Sequence, residues 1–591
     1  MMFTEQDRMG SIWTDPAAGS ILEKHFSFLA EERHLAFSYK IMTLREFLDA
    51  RQELGFTDQE RAAFLQELAQ LPSSKPLERR AEMVDKPQEA SQGAAEIGRH
   101  SEGTGLISSP KSAAKWDVYE LELRGPSYGN PYTDIDLKAT FVCEEDGRSI
   151  RVPGFYNGNG VYKIRMMPGE EGRWTYRTES TANALDGHEG TFVCTAPEAG
   201  NHGPVRVRDK YHFAYEDGTA YLPFGTTCYV WTHQGEELEQ QTLESLARSP
   251  FNKMRMCVFP KSYLYNLNEP ELYPYEGSIR EGWNFSVFNP EFFEHLEQRI
   301  ADLGRLGIEA DLILFHPYDR WGFSEMSREE DDLYLRYIVA RLSAYRHVWW
   351  SLANEYDLMW AKTGEDWERY ARIITENDPY GHLLSNHNWL TFYDHSKPWL
   401  THCSLQRIDV YKTSEAALEW RERWDKPIVI DECAYEGDID QGWGNITGEE
   451  MVRRFWEGTI RGGYVGHGET YLNDEEVLWW SKGGKLVGDS PARIGFLRSL
   501  VEEAPGQCWE PLRSDWDLPC AGIRDEYYVY YFGFNQPKFR IFHMRPGIKY
   551  KVDIIDTWGM TIDESAGVHE GSFRIELPGR PYMAVRLTRT E

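Results

Sequence analysis

Two short stretches place carboxylates where an apolar run ends. In "HVWWSLANEYDLMW" (residues 347–360) an aromatic-rich run stops at Asn354-Glu355. In "PIVIDECAYEG" (427–437) an aliphatic run stops at Asp431-Glu432. A carboxylate left unpaired in apolar surroundings is costly, so each must be either paired or used. Two acids that face each other can divide the labour of an acid and a nucleophile. Burial and like charge push their pKa values apart, leaving one protonated to serve a leaving oxygen and the other ionised to attack carbon.

The elements that must position these acids begin near residue 205. From there the pattern alternates between strand and helix. The strands are "AYLPFGTTCYV", "NKMRMCVF", "ADLILFH", "VWWSLAN", "HLLSNH", "HCSLQR", "PIVIDEC" and "GYVGHGE". Helix starts are marked by Asn289-Pro290 and by the capping boxes Ser327/Glu330 and Thr447/Glu450. Alternating βα units imply a parallel sheet, and eight of them in roughly 300 residues fit a (β/α)₈ barrel. A doubly wound open sheet is the competing architecture. It favours a glycine-rich loop after the first strand, and "GTTCYVWTHQ" is not one.

In such a barrel, sites gather at the C-terminal ends of the strands. Asn354-Glu355 ends the fourth strand and Asp431-Glu432 the seventh. Side chains alternate along a strand, so one of Asp431 and Glu432 should face the centre. Acids on strands four and seven then lie across the barrel mouth. Retaining hydrolysis of a glycosidic bond requires this arrangement, with carboxyl groups about 5–5.5 Å apart. Asn354 would hold a sugar hydroxyl beside the reacting carbon. Asp357 and Glu436 are the rival acids.

The flanks read differently. Residues 1–72 are helical in pattern, with capping boxes at Thr43/Glu46 and Thr57/Glu60 around Gly55, and predict a helical hairpin that docks on the rest or joins subunits into a homo-oligomer. Residues 73–113 are rich in Ser, Pro, Gly and charge and predict a linker. Residues 114–200 and 508–591 alternate with period two between turn signals and predict two β-sandwiches around a barrel at 205–505. A length of 591 residues suits about three to five domains.

The net charge of −31 argues against nucleic acid or an anionic membrane as partner. No run reaches the length of a membrane span, and the opening "MMFTEQDRMGSIWTDPAAGS" lacks the apolar core of a signal peptide. A cytoplasmic location is the expectation. The eight cysteines form no CxxC motif and are read as free thiols, although Cys143 and Cys194 each end a "TFVC" strand. No HxH or HExxH spacing suggests a catalytic metal, and no cofactor is expected. Gly125-Pro-Ser-Tyr-Gly129 fits GxSxG but lies among strands, where a nucleophile elbow cannot form.

"SLANE" and "PIVIDE" at two strand ends resemble clan A of the glycoside hydrolases. "YLPFGTTCYVW", "FHPYDRWGF" and "VIDECAYEG" are more closely similar to apiosidase-like barrels flanked by sandwiches. "GNPYTDIDLKATF" and "GFYNGNGVYKIRMMPGEEGRWTY" look like that group's N-terminal immunoglobulin-like domain. The resemblance spans about residues 115–591 and leaves the helical N-terminus unplaced. It implies a carbohydrate substrate, Glu355 as acid/base and Glu432 as nucleophile. It also implies Arg255 as the strand-two arginine that supports the nucleophile, His316 as a sugar-binding or supporting residue, and Tyr435 as a residue orienting Glu432. The clan's strand-eight tryptophan is missing from "GHGETYL". Trp479 and Trp480, later in a loop, are the available platforms.

Further candidates follow from position alone. Trp231, His233 and Gln234 follow strand one at the barrel mouth, and Asp319 and Trp321 follow strand three. His387 ends strand five and Gln406 lies on strand six; each is as well suited to structure as to ligand. The expected function is retaining hydrolysis of a plant-type oligosaccharide or glycoside. The competing readings are an inactive carbohydrate-binding or scaffold protein on the same fold, and a metal-dependent barrel hydrolase.

Overall fold

The computed structural model describes residues 3–5, 7–14, 16–26, 29, 42–53, 56–71, 105–407, 412–513 and 515–590. Its centre is a ring of eight parallel strands: β1 (Gly225–Thr227), β2 (Lys253–Cys257), β3 (Glu309–Phe315), β4 (Val348–Ala353), β5 (Leu384–Ser385), β6 (Cys403–Gln406), β7 (Ile428–Glu432) and β8 (Tyr464–His467). The hydrogen-bonded order runs 5-4-3-2-1-8-7-6. The last gap, between β5 and β6, is crossed by Thr401 N–H donating to Leu384 O at 3.0 Å and by Asn388 Nδ2 donating to Gln406 O at 3.1 Å. The protein is therefore a (β/α)₈ barrel with β-rich domains at either end. Almost every strand residue is buried, as expected where helices cover the outside and side chains fill the inside.

Helices pack outside at Glu236–Leu246, Pro290–Arg305, Arg328–Leu342, Gly364–Asn377, Ala417–Trp424, Gly448–Ile460 and Ser490–Glu502. Between β5 and β6 there is a loop and no helix. The starts read from sequence are built as caps. Ser327 accepts from the Glu330 N–H while Glu330 accepts from the Ser327 N–H, and Asn289 caps a helix with proline in its first turn. Only residues 225–227 of the expected first strand join the ring. Ala220–Tyr221 pairs instead with His212–Tyr215, which pairs in turn with Val205–Arg208 in a small antiparallel sheet, with Phe213 and Tyr221 against Trp349.

The N-terminal sandwich has eight strands and a core around Tyr119, Phe141, Trp174 and Phe192. Its first strands, Leu106–Ser108 and Ser112–Ala114, lie inside what the sequence suggested was linker; residues 73–104 of that linker fall outside the described residues. The sandwich meets the barrel through a buried ion group, with Glu297 taking Arg165 at 2.7 Å and Arg341 at 2.5 Å. The C-terminal domain layers a main antiparallel sheet against the pair Phe539–His543 and Ser572–Glu576.

The N-terminal segment forms four helices among the described residues where a hairpin was expected: Met9–Thr14, Pro16–His25, Leu44–Glu53 and Asp58–Ala69. They share a core of Ile12, Leu22, Phe26, Phe47 and Phe64. All eight cysteines are free thiols. No helix among the described residues is long and apolar enough to cross a membrane.

Candidate active site

The barrel interior carries charge at mid-height. Lys253 on β2 donates to Asp311 on β3 at 2.5 Å and to Asp431 on β7 at 2.8 Å. Arg255, two residues along β2, faces the same two acids at 3.5 and 3.9 Å and donates to Ser351 at 3.2 Å. All four charged groups are buried. Burial alone would raise the Asp431 pKa, but the charges of Lys253 and Arg255 overcome it and hold the group far below its ordinary value. Arg255 also reaches upward, donating from Nη2 to Asn354 Oδ1 at 3.0 Å. A stem rooted in this ionic layer thus fixes the amide at the mouth.

The β7 strand departs from simple alternation. Leu405 pairs with Ile430, but Gln406 pairs with Glu432, so Asp431 is an extra residue opposite β6. This β-bulge turns two consecutive acids inward. The expectation that only one of Asp431 and Glu432 faces the centre is corrected. Asp431 joins the ionic layer, and Glu432 rises above it.

Glu432 is buried and accepts a short hydrogen bond from the Tyr229 hydroxyl, while His387 Nε2 lies 3.5 Å from the same Oε1. Burial pushes its pKa up. His387, the Tyr229 hydroxyl and the Arg255 charge outweigh that and keep it below the usual 4.5. Glu355, just past β4, accepts from the Tyr318 hydroxyl and from Gln406 Nε2 at 2.8 Å. Burial, then the negative charge of Glu432, lift its pKa from 4.5 to about 8. Gln406 ties the two acids together: its backbone pairs with Glu432 and its side chain holds Glu355.

Glu355 adopts φ 53° and ψ 56°, a left-handed conformation that costs a non-glycine residue about 1–3 kcal/mol and is found where the surroundings demand it. Here it aims the carboxyl into the barrel mouth and away from the outer helices.

Of the remaining candidates, His387, Gln406, Arg255, Asn354 and Tyr435 gather around the two acids, Tyr435 with its hydroxyl 3.4 Å from that of Tyr229. Arg255 contacts Asn354 and the ionic layer, so it reaches Glu432 through its field and not through a bond.

The structure does not bring the others to the acids. Trp231 is fully buried and donates to Met256 Sδ. His233 donates to Val258 O at 3.1 Å and stacks on Phe292; burial pushes its pKa down to about 4. Gln234 donates to Val230 O at 2.9 Å. His316 donates to Phe259 O at 3.1 Å and is pushed down to about 3, first by burial. Asp319 accepts from the N–H groups of Trp321, Gly322 and Ser324, shaping its own loop, and Trp321 donates to Glu269. Trp479 donates to Thr226 Oγ1 at 2.8 Å and lines a side cavity of about 210 Å³ that contains neither Glu355 nor Glu432.

Its neighbour Trp480 is the tryptophan at the site, packed edge-on to Tyr229 and beside Trp443 and Tyr435. The rival acids are structural. Asp357 accepts three backbone N–H groups at 389–391, and Glu436 accepts those of Asp489 and Ser490 at the start of the last barrel helix. Sequence reasoning passed over Tyr229, Tyr318 and Lys261, and named Trp480 as a platform only beside Trp479. Tyr229 and Tyr318 sit inside the stretches "GTTCYVW" and "FHPYDRW" that already stood out, and only their position near strand ends set them apart.

A parallel barrel with two facing acids at the ends of its fourth and seventh strands has the fold of the clan A glycoside hydrolases, and the molecule is a glycosidase. A crystal structure described as that of a "putative glycoside hydrolase" from Bacteroides vulgatus ATCC 8482 is 40% identical, covers 81% of this chain and 100% of its own, and superposes with a TM-score of 0.78. A family 5 glycoside hydrolase from the same bacterium is similar in fold alone, at 14% identity, a TM-score of 0.53, and coverage of 66% of this chain and 93% of its own. Residues 207–497 match the family described as apiosidase-like, catalytic domain. This chain belongs to the glycoside hydrolase family of that Bacteroides vulgatus protein, and its barrel is similar to the apiosidase-like catalytic domain. Residues 112–181 and 516–588 match two families described as domains of unknown function, DUF5060 and DUF5605. No curated protein matches the sequence.

Proposed function

We propose that the enzyme cleaves its glycosidic bond with retention, through a covalent glycosyl-enzyme. The observation that carries this reading is the opposite displacement of two facing carboxyls: Glu355 is raised to about 8 and Glu432 is lowered. At neutral pH Glu355 then holds a proton and Glu432 does not. Glu355 gives its proton to the leaving oxygen as Glu432 attacks the anomeric carbon. Glu355, now ionised, takes a proton from water, and the resulting hydroxide releases the sugar from Glu432. Asn354, held by Arg255, takes a hydroxyl next to the reacting carbon in this reading. Trp443, half-buried and backed by the buried Trp480, offers an apolar face for the sugar ring.

The substrate is a short plant-type oligosaccharide or glycoside, attacked from its end; the sequence reading of a cytoplasmic enzyme supports imported saccharides over bulk polymer. A panel of nitrophenyl glycosides, including furanosides and apiosides, tests the activity. Proton NMR of the first-formed product reads retention directly. Glu432→Gln should reduce turnover of the cleaved glycoside by at least about a thousandfold. A fluoro-sugar label should map to Glu432. Inversion at the anomeric carbon, or a label on Glu436, contradicts the proposal.

A further inference from the structure

Lys261 lies in the segment after β2 and is 3% exposed. Buried lysines usually meet a carboxylate, because an isolated ammonium is expensive to dehydrate. Here the Nζ makes no ion pair with any described residue and sits instead among aromatic rings. It lies 3.6 Å from the centre of the Tyr229 ring, 4.1 Å from that of Tyr318, 4.9 Å from Trp480 and 5.6 Å from Tyr263. The two closest rings belong to the phenols that donate to Glu432 and Glu355 respectively.

We propose that Lys261 is a positioning residue for the glycosidase reaction, whose cation lies across the faces of Tyr229 and Tyr318 and through them holds and polarises the hydrogen-bond donors of both carboxyls. A cation over a phenol face draws electron density from the ring and makes its hydroxyl a stronger donor. One lysine shared by both rings also fixes the distance between the two donors. Its charge favours the form of the pair carrying one negative charge, which is the form ready for reaction.

The groups that set its own titration surround it on every side. Tyr229 faces it from beyond β1, Arg255 and Cys257 from β2, and His316 and Tyr318 from beyond β3. Glu355 lies beyond β4, Glu432 ends β7, and Tyr263 is on its own loop. Burial lowers the lysine's pKa, while Cys257, Glu355 and Glu432 oppose that.

The proposal deepens the two-acid reading and rests on it, so its test is one that needs no turnover. The full chain is labelled with carbon-13 at the glutamate δ-carboxyl and titrated by NMR, with the Glu355 signal assigned by its loss in Glu355→Gln. In Lys261→Met the apparent pKa of Glu355 should rise by about one unit. In Lys261→Arg, which keeps a cation over the rings, it should stay close to wild type. On any nitrophenyl glycoside that the parent cleaves, Lys261→Met should lower kcat with little change in KM and move both limbs of the kcat/KM profile to higher pH. A Glu355 titration unmoved in Lys261→Met, or moved equally in Lys261→Met and Lys261→Arg, overturns the proposal. Because the titration is read without substrate, it stands even if every glycoside offered is left intact.

Discussion

Replacing Glu355 by glutamine should make the barrel more stable in alkali. Glu355 is lifted from 4.5 to about 8 because burial and the Glu432 charge oppose its ionisation. A carboxyl raised on folding binds its proton more tightly in the folded state. Its contribution is therefore fully present below about 4.5 and is lost as pH rises through about 8. At 1.36 kcal/mol per pH unit, the gap between those values corresponds to about 5 kcal/mol lost to the wild type by pH 9. Glutamine has nearly the same shape and never ionises, so it escapes the loss. Glu309 and Glu469 are also raised to about 8, but both are present in wild type and variant and cancel in the difference. Thermal unfolding of the two proteins, followed by tryptophan fluorescence, should give nearly equal midpoints at pH 4. The variant should lead by several degrees at pH 9. A midpoint difference that is the same at both pH values would refute the assignment of a raised, ionisation-resistant carboxyl at residue 355.

Other consequences are as direct. The kcat/KM profile should be bell-shaped, with an alkaline limb near about 8 from Glu355 and an acid limb below 4.5 from Glu432; an alkaline limb below pH 6 contradicts the pairing. Tyr229→Phe removes the hydroxyl that donates to Glu432, a charge-assisted bond of about 1.5–3 kcal/mol, so kcat/KM should fall about 10–100-fold and the acid limb should move upward. Arg255→Met leaves Asp431 and Asp311 with Lys253 alone in a sealed layer, and should destabilise the barrel by about 3–5 kcal/mol in urea unfolding.

The barrel and its two acids were legible in the sequence for a physical reason. Eight apolar runs, most of them separated by helices, admit few architectures, and Glu355 and Glu432 break two of those runs where side chains must face one another. The supporting residues were less legible. Trp231, His316 and Trp479 occupy the right ends of the right segments, but position in a segment does not say which way a ring or imidazole turns. All three turn to nearby backbone, sulfur or hydroxyl groups. Tyr229, Tyr318 and Lys261 carried no signal of their own among 33 tyrosines and many lysines, because their roles arise only when separate strand ends close into a ring. The pair Asp431-Glu432 misled for a different reason. Alternation assigns adjacent residues to opposite faces, and the bulge that suspends it comes from a register between strands, which one strand's sequence does not contain.

That irregular register also constrains how the enzyme can change. Each of the two adjacent acids on β7 is committed to a separate partner set, one to the lysine and arginine beneath and one to the phenol and imidazole above. Deleting a residue there would not simply shorten the strand. It would force one acid to serve both sets, leaving either two cations with Asp311 as their one counterion in the layer or a sugar without its attacker. Lineages descended from this barrel are therefore freer to exchange the loops that choose a substrate than to shift the strand beneath them by one position.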